Sequence, residues 1–408
     1  MRTIGVVTVG RSDYGIYLPV LQEIQADSSL ELQLIVGGMH LSPEFGQTVK
    51  AIEEDGFRIS DRVEMLLSSD SPEGIAKSMG LGTAGFAQVY GRSRPDILLV
   101  LGDRFEMYAA ALAALSFKIP LGHIHGGELT QGAIDDALRH SMTKLSHLHF
   151  VSVQEYGRRV AQLGEEKWRI IVSGALSLDL LRSVELLSAD ELRAKYGIRT
   201  EPPPLLVTFH PVTLEHEQTE WQTGELLAAL DATRLPIVFT LPNADTNGRV
   251  IARLIEEFVS THTSAWIVPN LGPQGYASLM TLATAMVGNS SSGMLEAAPS
   301  GLPVVNVGTR QQGRLRTANI VDVGYPRKDV LQGIKRAVSS GFRDAAAKVV
   351  SPFGDGRAAG RIVSVLKQIP LDQRLLTKHF VDYSIPFDDE SPSPGSMEPI
   401  LTRTAVPN

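Results

Sequence analysis

The residues best suited to chemistry fall in three short motifs, each placed directly after an apolar run. Gly102-Asp103-Arg104 follows Ile97-Leu98-Leu99-Val100-Leu101. His123-Ile124-His125-Gly126-Gly127-Glu128 follows Pro120-Leu121. Gly288-Asn289-Ser290-Ser291-Ser292-Gly293 follows Ala285-Met286-Val287. Two of these motifs carry ionisable groups for proton transfer, and the third carries small hydroxyl donors suited to phosphate. In an open parallel sheet, ligands bind at the carboxyl ends of strands. The combination argues for chemistry on a phosphorylated, nucleotide-linked substrate.

The stretch from His123 to His140 is the densest, with Glu128, Asp135, Asp136 and Arg139 inside it. Asp135 and Arg139 are four apart on an expected helix and share a face. His123 and His125 alternate on an expected strand, so both can point the same way. Clustered His and carboxylates raise a metal site, but the HExxH spacing is missing, and a hydrogen-bonded His can simply fill an inward face. Paired acid/base carboxylates are the preferred reading. Desolvation in a closed cleft is expected to raise their pKa values toward neutrality. Asp103 in such a cleft acts as a base or fixes a substrate hydroxyl; a solvated strand end is the plain alternative.

Four further segments stand at strand ends. Gly10-Arg11-Ser12-Asp13-Tyr14-Gly15 is a glycine-flanked turn in which Arg11 adds a fork-shaped phosphate donor. It lacks GxGxxG spacing, so it gives no support to a dinucleotide site; an ordinary turn with an exposed Arg competes. Phe209-His210-Pro211 puts His210 in a turn where it can donate to a phosphate oxygen, and Leu241-Pro242-Asn243 repeats the layout with a neutral group. After the serine loop, Glu296 is expected in the first turn of a helix, either complementing the helix dipole or accepting both ribose hydroxyls. A serine nucleophile is disfavoured because GxSxG is absent. Gly308-Thr309-Arg310-Gln311-Gln312-Gly313-Arg314 can bring Arg310 to the same ligand; a surface loop with two Arg residues is the alternative.

These positions need strands alternating with helices. Strands are expected at Ile4–Val9, Leu32–Val36, Arg58–Val63, Ile97–Leu101, Pro120–Ile124 and His149–Val153, with helices around Tyr17–Gln25, Gln47–Asp55, Ile75–Tyr90, Glu106–Phe117 and Asp135–Ser146. A second cycle follows at Leu205–Phe209, Ile237–Leu241, Ala265–Val268, Ala285–Gly288 and Pro303–Val307. The alternation indicates βαβ units and parallel sheets. The fold class is therefore α/β, with two doubly wound, Rossmann-like domains facing a central cleft. The domains are expected at 1–185 and 186–365, with a segment crossing back at 366–384 and a disordered tail at 385–408. The helical stretch Ala358–Gln368 is expected to pack back on the first domain.

The chain has 408 residues, 43% of them hydrophobic, and a net charge of −7. That length suits two domains, and that charge argues against general nucleic-acid binding. With no cysteine, disulfides, thiolate metal sites and cysteine nucleophiles are excluded, which fits a cytoplasmic protein. No run of about 18 apolar residues exists, so no membrane span is expected.

Taken in order, six motifs resemble the UDP-N-acetylglucosamine 2-epimerase family, and most closely its hydrolysing branch. They are Gly102–Glu106, His123–Glu128, Asp135–His140, His210–Thr213, Asn289–Gly293 and Gly308–Gln311. The resemblance runs from Arg2 to about Leu366. It implies the two-domain GT-B-like fold and a UDP-sugar substrate, with no cofactor or metal and a homodimer or homotetramer. It implies elimination of UDP as the C2 proton leaves, then hydration of the glycal to N-acetylmannosamine. A UDP-linked 2,4-diacetamido-2,4,6-trideoxyglucose is the alternative substrate, and a non-hydrolysing epimerase or a retaining glycosyltransferase the remoter ones. Asp103, Glu128 and Asp135 become the acid/base candidates. Arg11, His210, Ser290, Ser291 and Arg310 would hold the diphosphate and Glu296 the ribose; Arg104, Arg139, Asn243, Ser292 and Gly293 complete the expected site. Some relatives carry Glu where this chain has His125, so the key role shifts to Glu128 or falls on His125 itself; Glu128 is preferred. Gly15 likewise replaces a serine of the relatives.

Overall fold

The computed structural model describes residues 1–69, 71–130, 133–242, 247–269 and 271–383. Among them, two all-parallel sheets form the framework. The first contains β1 (Arg2–Thr8), β2 (Leu30–Gly37), β3 (Ile59–Val63), β4 (Ile97–Leu101), β5 (Leu121–Ile124), β6 (Leu148–Val151) and β7 (Ile170–Val172), in the order β3-β2-β1-β4-β5-β6-β7. The second contains β8 (Leu205–Thr208), β9 (Ile237–Thr240), β10 (Ala265–Ile267), β11 (Ala285–Gly288), β12 (Val304–Val307) and β13 (Ile320–Val323), in the order β10-β9-β8-β11-β12-β13. Strands such as β4 and β8 are buried along their whole length. Helices cover both faces, so these strands read as unbroken apolar runs rather than alternating ones.

Strand order reverses between β1 and β4 in the first sheet and between β8 and β11 in the second. At such a switch point the connections diverge to opposite faces and leave a crevice at the strand ends. The loops after β1, β4, β8 and β11 border the two crevices. They are the segments beginning at Gly10, Gly102, His210 and Asn289.

Two edge strands, β7 and β13, were not expected from the sequence. They are three and four residues long and partly exposed, so neither leaves a strong apolar run. The first helix begins at Arg11 and accommodates Pro19 inside it. Arg11 is therefore the first residue of a helix, not part of a free turn.

The helix Ala358–Gln368 returns to the first domain. Ala358, Ile362 and Leu366 are buried in the core built on β1, β2, β4 and β5, and Arg2 donates to the carbonyl of Leu366. The crossing back thus starts at Ala358, and the boundary expected at 366 is corrected accordingly. Arg169 then fixes the following segment by donating to the carbonyls of Arg374 at 2.9 Å, Leu375 at 2.8 Å and Thr377 at 2.8 Å. The expected tail, 385–408, and Asn243 lie outside the described residues. Val153, Tyr156 and Leu178 share an apolar cluster with Met280, Leu295 and Phe353, which joins the domains beside the cleft.

If the returning helix belongs to the first core, Ile362→Ala should cost about 2–4 kcal/mol through lost burial and a residual cavity. Urea unfolding of the variant measures this, and a loss below about 1 kcal/mol would contradict the assignment.

Candidate active site

A cavity of about 620 Å³ lies between the two sheets, lined by the strand-end loops of both domains. Its second-domain wall is organised by Asn289. The Asn289 Oδ1 accepts from His210 N at 2.7 Å, and its Nδ2 donates to His210 O at 2.8 Å. Its own carbonyl accepts from Arg310 Nη1 at 3.3 Å and Gln311 Nε2 at 2.8 Å. One side chain and one carbonyl thereby tie together the loops after β8, β11 and β12. Gly288, at φ 136°, makes the close approach possible: a Cβ there would stand 2.0 Å from Thr208 O.

Arg11, Arg104 and Arg310 all line the cavity around His210. Burial, with these three guanidinium groups facing it, holds the His210 imidazole well below its ordinary range. Arg11 also donates to Leu241 O across the cleft at 2.9 Å. Arg104 is engaged by Glu106, with contacts of 3.1 and 3.0 Å. Ser290, Ser291 and Ser292 line the same wall, and Ser292 joins Ser290 at 2.9 Å and the Tyr276 hydroxyl at 2.6 Å. The helix after this loop has only five residues, Ser291–Leu295. The hydroxyls, not a long helix dipole, are therefore the loop's main asset. Gly293 faces away from the cavity; a Cβ on it would approach Val304 Cγ1 to 3.0 Å. It packs closely against β12 and is not among the residues lining the cavity. Glu296 stands at the C-terminal end of that helix rather than in its first turn, so a favourable helix-dipole role is removed. It lines the cavity, and burial pushes its carboxyl up to about 7.

The first-domain wall holds the ionisable cluster. Strand β5 ends at Ile124, so His125 lies beyond it, and the expected alternation of His123 and His125 on one face fails. His123 is a core residue whose Nε2 contacts Gly102 O at 2.8 Å. His125 takes a left-handed backbone, φ 65°, uncommon for a residue with a Cβ. It is held there by His125 N donating to Phe150 O at 2.9 Å and by Arg139 Nη1 donating to His125 O at 2.8 Å. Gly127, at φ 76°, lets the turn pass close to the helix carrying Tyr156: a Cβ there would stand 2.4 Å from Tyr156 O. The turn brings Glu128 back, so that its Oε1 lies 2.8 Å from His125 Nδ1. An ionised carboxylate only accepts, so Nδ1 carries the proton in this bond. His125 Nε2 is buried and has no hydrogen-bond partner among the described residues.

Glu128 is almost fully buried and paired with cations from both domains. Arg314 Nη1 lies 3.1 Å from its Oε2, and Arg139 Nη1 3.8 Å. Burial alone would raise its pKa, but Arg314, His125 and Arg139 outweigh that and hold it well below the carboxylate range. The upward shift expected for a cleft carboxylate is thus reversed at Glu128. Arg139 also pairs with Asp103, and Asp135 begins the helix Asp135–Leu145 at the cavity wall. Among the described residues, no group of three or more His, Asp or Glu is placed to hold a metal ion.

Three contributors were not picked out from sequence. Arg314 is four residues after Arg310, a spacing that offered a hint. Asp13 fixes the first turn by accepting from Val9 N and Gly10 N, both at 2.7 Å; burial, against these bonds, pushes it up to about 6. Tyr276 comes from a helix with no local signal.

Two facing doubly wound sheets, with Arg310, His210 and the serine hydroxyls on the second-domain wall and Arg11, Arg104 and a histidine–carboxylate cluster on the first-domain wall, define a GT-B-like architecture. The UDP-N-acetylglucosamine 2-epimerase family model matches residues 22–367, and the chain belongs to that family of enzymes. It is 38% identical over 384 residues to the GDP/UDP-N,N'-diacetylbacillosamine 2-epimerase (hydrolyzing) of Campylobacter jejuni, covering 93% of this chain and 99% of that one. It is 35% identical over 378 residues to the UDP-N,N'-diacetylbacillosamine 2-epimerase (hydrolyzing) of Legionella pneumophila, covering 93% and 99%. The fold superposes on the UDP-GlcNAc 2-epimerase of Neisseria meningitidis, solved with UDP-GlcNAc, with a TM-score of 0.75 at 17% identity, covering 90% of this chain and 99% of that one. Among the described residues no helix is long and apolar enough to cross a membrane.

Glu296 yields a pH test. Its folded pKa of about 7 exceeds its ordinary 4.5, so the folded protein binds the extra proton. Stability from this group is present in full below pH 4.5 and is lost as pH rises through 7. Relative to Glu296→Gln, wild-type stability should therefore decline across that window in chemical denaturation. A flat difference, or a rise with pH, would contradict the assignment.

Proposed function

We propose that the chain is a hydrolysing 2-epimerase acting on a UDP-linked 2,4-diacetamido-2,4,6-trideoxyglucose, with UDP-N-acetylglucosamine as the second substrate reading. The observation carrying the reaction type is that the His125–Glu128 pair and the Arg11–His210–Arg310 group line one cavity. The choice of sugar is supported by two relatives, 38% and 35% identical, whose names specify that sugar. The sequence alone ranked the two sugars the other way.

The chemistry follows from the two walls. Arg11, Arg310, His210 and the serine hydroxyls suit a diphosphate and stabilise the charge that grows on it as C1–O breaks. Glu296 suits the ribose hydroxyls. A base must take the C2 proton as the C1–O electrons move to the β-phosphate oxygen, leaving a C1–C2 double bond. Glu128 is strongly ionised by its cations and is a weak base. His125 is the better base: Glu128 fixes its Nδ1–H, and its Nε2 lone pair has no other partner. Glu128 then orients the imidazole and balances the charge it gains. Water adds to C1 of the glycal, and a proton returns to C2. Inversion at C2 requires the proton to return on the opposite face, so a second carrier is needed; Asp103 and Asp135 are the candidates. The product is the free manno-configured sugar, of the class used for sialic-acid-type sugars. A cytoplasmic homodimer or homotetramer belongs to the same proposal, and light scattering reads the oligomer.

Incubation with each UDP-sugar in deuterated water, followed by proton NMR, tests the proposal. Expected are free UDP, the manno sugar and deuterium at C2, faster with the diacetamido sugar. Intact UDP-linked manno sugar would overturn hydrolysis, and faster turnover of UDP-N-acetylglucosamine would overturn the substrate choice. His125→Gln should lower kcat by about 100- to 10,000-fold, the usual worth of a general base. Its affinity for UDP should be unchanged.

A further inference from the structure

Arg314 crosses the cleft. It leaves the loop after β12 in the second domain and ends inside the first. Its Nε donates to Leu129 O at 2.9 Å, and its Nη2 donates to Thr130 Oγ1 at 3.2 Å. Its Nη1 lies 3.1 Å from Glu128 Oε2, with only 5% of the side chain exposed. Arg139 reaches the same Thr130 hydroxyl, also at 3.2 Å. The next residue is pinned too, since Leu315 N donates to Tyr156 OH at 3.2 Å. The same loop carries Arg310, which faces His210 and donates to Asn289 O. A single short loop therefore touches both the cationic wall and the proton-transfer pair.

We infer that Arg314 is a positioning residue that holds the Glu128 carboxylate against His125 and ties that pair to the docking of the second domain's phosphate-facing loop. The inference rests on the epimerase reading above. Glu128 is faced by His125 from its own turn, Arg139 from the helix Asp135–Leu145, Tyr156 from the helix Gln154–Gln162 and Arg314 from the second domain, with Asp103 beyond Arg139. Removing Arg314 leaves a buried carboxylate with one guanidinium fewer, an under-compensated charge. Its proton affinity rises, and once protonated it no longer orients His125 as a pure acceptor. A mere strut between domains would show a different pattern, because it would lower stability or substrate affinity without touching this titration.

The test uses the full chain with Arg314→Met, which keeps the buried stem, and Arg314→Lys, which keeps the charge but loses the fork. Glu128→Gln and the Arg314→Met/Glu128→Gln double variant complete the cycle. UDP release is followed against substrate concentration and pH, alongside calorimetric UDP binding and thermal unfolding. Arg314→Met should lower kcat about 100-fold with KM within about threefold, the pattern of a lost transition-state interaction. The acid limb of its kcat profile should move to higher pH. Arg314→Lys should return the limb toward wild type while kcat stays about tenfold low, since one ammonium replaces a planar fork. The double variant should be within about threefold of Glu128→Gln, because the two residues act as one unit. Unchanged kcat and acid limb in Arg314→Met, or a change confined to KM or thermal midpoint, overturns the inference. If Arg314→Met does not fold, wild-type kcat in Arg314→Lys overturns it. Wild-type protein that releases no UDP from either sugar would sink the functional reading alone. The His125 ring-nitrogen NMR signals serve in that case: they should shift in Arg314→Lys, and unshifted signals overturn the inference independently of turnover.

Discussion

The site depends on one buried negative charge, the Glu128 carboxylate. Desolvating an unpaired carboxylate costs several kcal/mol, and the neutral form would normally win. Here Arg139 from the first domain, Arg314 from the second and the His125 ring surround it. Two consequences follow. The carboxylate stays ionised, and the domains must be docked for it to do so. A charge that needs partners from both domains makes cleft geometry and proton-transfer geometry one problem.

Each sheet has its switch point at the cleft, and the segments after β5 and β12, beside those points, carry His125, Arg139 and Arg314 to Glu128. The segments after β1 and β4 carry Arg11, at the start of its helix, and Asp103 and Arg104; those after β8 and β11 carry His210 and the serines. Two crevices face each other across about 620 Å³. The returning helix Ala358–Gln368 adds Ile362 and Leu366 to the first core, so the chain passes between domains twice. That double connection, with the apolar cluster around Tyr156 and Phe353, suits a cleft whose two walls must stay in register.

Much of this was legible in the sequence because it sits in continuous segments. The buried strands read as apolar runs, and polar motifs directly after them marked strand ends. That reasoning singled out Asp103, His125, Glu128, His210, the loop serines and Glu296, all of which line the cavity. It missed what depends on three-dimensional pairing. Glu128 was expected to behave as a desolvated carboxyl, but the guanidinium that changes the balance most is Arg314, 186 residues away. His125 was expected on a strand with His123, but a left-handed turn places it one residue past the strand end. Gly293 belongs to the serine motif in sequence yet packs against β12. The edge strands β7 and β13 were too short and too exposed to leave a pattern.

The proposed reaction turns on Glu128 fixing His125 with its proton on Nδ1 and its lone pair on Nε2. Long-range proton–nitrogen correlation NMR of the wild-type protein with labelled histidines, assigned by the signal absent from His125→Gln, reads this tautomer directly. Neutral His125 should be protonated at Nδ1 and bare at Nε2, and Glu128→Gln should abolish this preference. A neutral His125 protonated at Nε2, or a tautomer unaffected by Glu128→Gln, would contradict the proposed reaction.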